Sequence, residues 1–365
     1  MLKLLYVNGT HEGGSLASTR ELLRALAPEK VESHLVSARP ERALPSYLTR
    51  RATNLAVKLG GPEPSNVLER LNRLPGRTSV DLNHSESSST AVENATRAKL
   101  AIWNPDVVVA SSVSRVAWRR IRKDCADQGV PCVLYLREES LLPHLALTTP
   151  PEAVFANSRG IVETCKRLGW AATLVPSAVD LARSSTNSTR TTALLINPTR
   201  PYGLELAADL ARACPDIRFV FQESTRLSEQ ERRELEATTI SLSNVEHRSF
   251  VSKPALVYRD ARVLLAPYST VLESNRPRSV LEAQRNGIPI LGAERSGLRD
   301  AAGDGGLLLS PDSLLADWCD ALNRFFEETW YYAHMSSLAR IHSMRPEVET
   351  NAIAKRFVDA LTTLV

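Results

Sequence analysis

Short runs rich in Val, Ile and Leu alternate along this chain with longer stretches whose apolar residues recur every three or four positions. The compact runs predict buried strands and the 3.6-residue period predicts amphipathic helices, so their alternation predicts parallel α/β construction. In the first half, strands are expected at LKLLYV, VESHLVS, DVVVASS, CVLYLR, AVFANS and ATLVP. After the first of these comes a glycine turn and then SLASTRELLRALA, which sets Leu16, Leu22, Leu23 and Leu26 on one helical face. Asn157-Ser158 reads as a helix start before RGIVETCKRLGW, with Gly169 just past its end.

The pattern lapses between Ala182 and Thr192, where ARSSTNSTRTT has no apolar period and reads as a linker. A second series of similar size follows: TALLIN, GLELAADLARAC, IRFVFQ, a charged helix near SEQERRELEATT, PALVYRDA, RVLLAP, a helix from Ser279 to Asn286, a short apolar strand after it, GLLLS and DSLLADWCDALNRFF. Two helical segments close the chain with no strand between them. The expected division is residues 1–183, residues 184–340, and a final helical piece, residues 341–365, crossing back to the first unit. From Arg39 to Asn104 no strand is expected. Within that gap, YLTRRATNLAVKLGG mixes leucines with Arg50, Arg51 and Lys58, the pattern of a basic helix that either lies on an anionic membrane face or packs on its own domain.

Composition narrows the class. The 365 residues suit two domains, and 43% apolar with 24% charged residues is the balance of a globular protein. Forty-five basic against 41 acidic residues leave +4, too small an excess for a nucleic-acid partner to be expected. The five cysteines, odd in number and without a C-x-x-C pair, read as reduced thiols. No leader-like or 18-residue apolar segment stands out, so a cytoplasmic protein is expected, at most touching a membrane peripherally.

Several sites are missing from the sequence. The sixteen glycines form no G-x-G-x-x-G, and there is no Walker A motif, H-E-x-x-H, G-x-S-x-G or D-x-D. No metal and no cofactor are therefore expected. The stretch ESNRPRSVLEAQRNGIPIL, Glu273 to Leu291, stands out instead. Arg276 and Arg278 lie at the start of the expected helix, where cations oppose the macrodipole unless an anion sits between them and the free amides. Glu282 on its first turns is placed to accept two hydrogens from a vicinal diol. A solvated charged loop and an ordinary helix surface are the plainer readings of the same residues.

The segment SVLEAQRNGIPILGAERSGLRDAAGDGGLLL resembles the nucleotide-sugar site of retaining glycosyltransferases of family 4. FANSRGIVETCKRLGWAATLVPSAVD and NPTRPYGLELAADLARACPDIRFVF resemble the end of that family's first domain and the start of its second. The resemblance implies the GT-B architecture: two Rossmann-like, doubly wound parallel-sheet domains facing each other across a cleft. It implies that Glu282 binds the donor ribose, that Gly13 and Gly14 let backbone amides approach the donor phosphate and acceptor, and that Arg200 faces the diphosphate. Ser279 and Val280 belong to the same donor-binding helix start, and His11 lies on the acceptor side.

There are three departures from the family pattern. Glu273 precedes Glu282 by nine positions where the family has eight, so the strict position is Ser274. Tyr202 stands where the family has a lysine, and Arg137, followed by Glu138 on the acceptor side, stands where it has a histidine. The implied reaction moves a sugar with retention from a nucleotide diphosphate sugar to an acceptor hydroxyl, with Arg137, Arg200, Arg278 and Glu273 as catalytic candidates and no protein nucleophile. A saccharide, a lipid-linked molecule or a small molecule is expected as the acceptor. A non-catalytic GT-B subunit and a sugar-nucleotide epimerase are the alternatives.

Overall fold

The computed structural model describes residues 1–10, 13–39, 84–88, 92–138 and 151–365. Strand β1 (Leu2–Asn8) shows how the first sheet is built. Alternate side chains of a strand leave on opposite faces. Leu5 and Val7 enter one apolar cluster with Trp118 and Ile121, while Leu4 and Tyr6 enter another with Leu16, Leu22 and Phe357. A strand buried on both faces has to be apolar at every position, and this is why such short, unalternating runs form the sheet.

Around β1 lie β2 (Val31–Arg39), β3 (His84–Ser88), β4 (Val107–Ser111), β5 (Cys132–Leu136), β6 (Ala153–Ala156) and β7 (Ala172–Leu174). They pair in the order β3-β2-β1-β4-β5-β6-β7, and every pairing is parallel. The second sheet holds β8 (Thr192–Ile196), β9 (Arg218–Gln222), β10 (Val245–Arg248), β11 (Ala261–Ala266), β12 (Ile290–Ala293) and β13 (Gly306–Leu309). Its order, β10-β9-β8-β11-β12-β13, repeats the first, again all parallel. Each sheet therefore reverses direction once, between β1 and β4 and between β8 and β11. Ligands of doubly wound sheets bind at the carboxyl ends of the strands beside such a reversal.

The expectation of no strand between Arg39 and Asn104 is corrected by β3, His-Ser-Glu-Ser-Ser, which pairs with β2 from Leu35↔His84 to Arg39↔Ser88. An edge strand is held by backbone pairing on one side and needs no apolar run. The helix Val92–Trp103 also lies in that gap. The basic stretch from Tyr47 to Gly61 falls outside the described residues, as does His11. Among the described residues no helix is long and apolar enough to cross a membrane.

Chain crossings join the domains. Asn286 fastens the first, donating from Nδ2 to the Ser184 carbonyl at 2.9 Å and accepting from the Thr186 amide at 2.8 Å. The last helix, Thr350–Thr362, packs Ile353, Ala354, Phe357 and Leu361 into the core of the first domain. There the Phe357 ring lies 6.4 Å from Tyr6 and 5.6 Å from Phe155.

Candidate functional site

Where the two reversal points face each other, the chain after β1 turns through Gly13 at φ +86°, a conformation that side chains disfavour, and begins the helix Gly13–Arg24. Opposite, the helix Arg278–Arg285 follows β11, and no side chain caps its start after Pro277. Arg278 reaches across the cleft. Its Cδ would lie 3.4 Å from a Cβ placed on Gly14, which puts the arginine in contact distance of that turn. Nη2 donates to Glu21 Oε1 in the first domain at 3.0 Å and to Glu282 Oε1 one helical turn on at 3.2 Å. Nη1 is buried and has no hydrogen-bond partner among the described residues. Burial opposes the charge on Arg278, but Glu282 and Glu21 outweigh it and hold the guanidinium above its ordinary pKa.

Both oxygens of Glu282 are engaged, because Oε2 accepts from the Tyr258 hydroxyl at 2.7 Å. Burial, followed by the Glu282 carboxylate, pushes the Tyr258 phenol well above its usual pKa. Glu21 Oε2 in turn accepts from the Asp180 amide at 3.0 Å. The carboxylate expected to hold the ribose diol thus sits inside an ion-paired chain that spans the cleft. Ser279 and Val280 complete the first turn of the helix. Val280 is fully buried in the second domain's core, so it has only its backbone to offer a ligand.

The other sequence-predicted residues separate into distinct surroundings. Tyr202 packs edge-on against Tyr268 with ring centroids 5.4 Å apart. Its phenol is raised by burial and by Glu138 of the facing domain, against a hydrogen bond with Asn197. Arg200 turns to the surface, 66% exposed, and lies 3.3 Å from Glu234 and 3.6 Å from Glu205. Arg137 is buried beneath the cleft floor, where it donates to Ser111 Oγ at 3.1 Å and Ser177 Oγ at 2.9 Å and stacks 4.3 Å over Tyr135. No carboxylate among the described residues forms an ion pair with it. Glu273 accepts the Ser296 amide at 2.9 Å and lies 3.6 Å from Arg295. Ser274 is buried where its carbonyl accepts from Ser158 Oγ at 2.9 Å. Arg276 pairs with Asp300 at 3.6 Å, apart from Arg278 two residues on.

The structure therefore brings together Gly14, Arg278 and Glu282, sets Tyr202 near Glu138, and directs Glu273, Ser274 and Arg276 elsewhere. Sequence reasoning missed Glu21 and Tyr258. Glu21 is buried on its helix with Leu16, Ser18, Thr19 and Leu22, a mixed set that leaves no apolar pattern for a carboxylate to interrupt.

No family model matches the chain, and no curated protein matches it in sequence. Among solved structures it is similar to HepE of Anabaena in complex with UDP-glucose, at 13% identity over 100% of both chains, with a TM-score of 0.70. It is also similar to the sucrose-phosphate synthase of Thermosynechococcus elongatus, at 12% identity over 100% of this chain and 99% of that one, with a TM-score of 0.74. A third similarity is to a candidate UDP-N-acetylglucosamine 2-epimerase of Listeria monocytogenes, at 11% identity over 99% and 96%, with a TM-score of 0.57. At such identities the likeness shows the fold: this is a two-domain GT-B protein, the architecture found in glycosyltransferases.

Proposed function

We propose that this GT-B protein is a retaining glycosyltransferase of the family 4 kind, moving a sugar from a nucleotide diphosphate sugar to an acceptor hydroxyl without a metal. The observation that carries this reading is Arg278, a buried cation at the meeting of the two reversal points, with one nitrogen unpaired among the described residues and the Gly13-Gly14 turn against it. Departure of the nucleoside diphosphate builds negative charge on the leaving phosphate, and fixed donors at that place lower the barrier. Arg278 Nη1 and the uncapped amides of its helix are such donors. Binding of the diphosphate displaces Glu21 from Arg278 and releases Glu282 to the ribose hydroxyls. Tyr202 then lies on the donor side, in the place of the family's lysine, and Glu138 lines the acceptor side.

The test is a screen of nucleotide sugars for hydrolysis and transfer by the pure protein, with and without EDTA. Arg278→Ala should slow turnover roughly a hundredfold, on the order of 3 kcal/mol in the barrier, and Tyr202→Lys should restore part of it. Normal turnover in Arg278→Ala, or activity abolished by EDTA and restored by magnesium, sinks the reading. The engaged state of Glu282 favours the second reading, a non-catalytic GT-B subunit in which the ion-paired chain is a structural clamp. A subunit of that kind would bind no nucleotide and convert no donor. An epimerase would convert donor in the absence of acceptor.

A further inference from the structure

A cavity of about 1290 Å³ opens between the two domains without sharing a residue with the Gly14, Arg278 and Glu282 group. At its floor the domains touch closely. Ser158 Oγ donates to the Ser274 carbonyl, and a Cβ on Gly160 would stand 2.7 Å from Ser296 Oγ. Three arginines from both sides converge on one residue. The Asp300 carboxylate accepts from the Arg159 amide at 3.3 Å, while the guanidinium groups of Arg159 in the first domain and Arg276 in the second stand 3.7 Å and 3.6 Å from it, beyond hydrogen-bond distance, and Arg345 reaches the Asp300 carbonyl at 3.5 Å. The Arg276 side chain is only 7% exposed.

The lining as a whole holds seven arginines against five carboxylates. Two of the arginines are matched away from the convergence, Arg295 by Glu273 and Arg299 by Glu294. The five other arginines face three carboxylates, and three of the five, Arg159, Arg276 and Arg345, converge on Asp300, so part of the positive excess sits there. Its field is felt by the neighbouring groups: burial and then Arg276 lower Arg345 to about 10, and burial and then Arg345 lower His342 to about 4. Arg159 is largely exposed, but Arg276 is buried and Arg345 partly so, and a second anion beside Asp300 would relieve their mutual repulsion.

We propose that this cavity binds a small phosphomonoester, gripped by Arg159 from one domain and by Arg276 and Arg345 from the other. Such a group carries about −1.5 to −2 at neutral pH, matching the excess, and its oxygens suit the planar fork of a guanidinium. The volume exceeds the roughly 300–1,000 Å³ of ordinary ligand pockets, which leaves room for a sugar-sized body beyond the phosphoryl group. The ligand would bridge the domains beside their crossings and hold their mutual angle. The inference goes beyond the transferase reading and does not depend on it.

The experiment is calorimetry on the full chain with glucose 6-phosphate, inorganic phosphate and glucose as probes. Glucose 6-phosphate and phosphate should bind and glucose should not. Arg276→Gln and Arg345→Gln should each weaken binding at least tenfold, while Arg324→Gln, outside the cavity lining, leaves it unchanged. Should Arg276→Gln fail to fold, the partly exposed Arg345 and Arg159 carry the test through their own Gln variants. Absence of binding at millimolar phosphate, or full affinity in folded Arg345→Gln, overturns the proposal. So does displacement of glucose 6-phosphate by a nucleoside diphosphate with the affinity set by Arg278, which would assign the phosphate to the other site.

Discussion

At the scale of single residues, the cleft is governed by competition for Arg278. The same guanidinium that would neutralise a diphosphate is held through Nη2 by Glu21 and Glu282, so an anionic ligand that takes Nη2 as well as Nη1 has to displace a carboxylate already in place. Removing one competitor without removing the cation should tighten binding. Glu21→Gln is expected to lower the dissociation constant of a free nucleoside diphosphate by about fivefold, roughly 1 kcal/mol, measured by calorimetry. A weaker affinity in this variant would mean that Glu21 positions Arg278 and does not compete for it. The sequence singled out Gly13, Gly14, Arg278 and Glu282, and the structure brings Gly14, Arg278 and Glu282 together. Glu21 and Tyr258 were not legible there, since neither belongs to a local pattern and only the packing of one domain against the other sets Glu21 opposite Arg278.

At the scale of elements, the loops after the central strands are shaped by backbone contacts as much as by side chains. The turn bearing Tyr202 ends at Gly203, at φ +86°, and a Cβ there would lie 2.2 Å from the Pro267 carbonyl oxygen. Gly203→Ala is therefore expected to destabilise the second domain by roughly 2–4 kcal/mol, read from denaturant unfolding. Full stability would show that the loop can move aside. A second test lies in the helix Thr329–Ser343, where His342 is held neutral with its pKa near 4. Its folded value lies below the ordinary value of about 6.5, so the unfolded chain takes up the proton first and stability is lost as pH falls between the two. Unfolding free energy should drop more steeply from about pH 6.5 to pH 4 in the wild type than in His342→Gln. Parallel curves would remove His342 as the cause.

At the scale of the molecule, the first domain is completed by the far end of the chain. Phe357 is fully buried among β1, β6 and the helix Gly13–Arg24, more than 300 residues away in sequence from β1. Phe357→Ala should cost about 3–5 kcal/mol, and the loss should appear in the unfolding of the first domain, followed by hydrogen exchange in β1 and β6. Loss confined to the second domain would contradict this packing. Because the same crossing passes beside the arginine-lined cavity, the last helix also links the stability of one domain to the spacing of both.

The sequence by itself determined the class of fold. Strands buried on both faces must be continuous apolar runs, and the helices that cover them must carry a 3.6-residue stripe, so both doubly wound units and their central strands were readable before any coordinates. What escaped were the corresponding outer strands of the two sheets, β3 and β10, built from His-Ser-Glu-Ser-Ser and Val-Glu-His-Arg. An edge strand is held by backbone hydrogen bonds to one neighbour, and backbone pairing leaves little mark on side-chain composition. The tertiary structure alone decided how the arginines of one short stretch divide. On either side of Pro277, just before and at the start of the helix, Arg276 and Arg278 leave toward different partners, one to Asp300 and the other to Glu21 and Glu282. Which carboxylate a buried cation meets depends on the approach of two domains, a quantity that no local pattern of residues encodes.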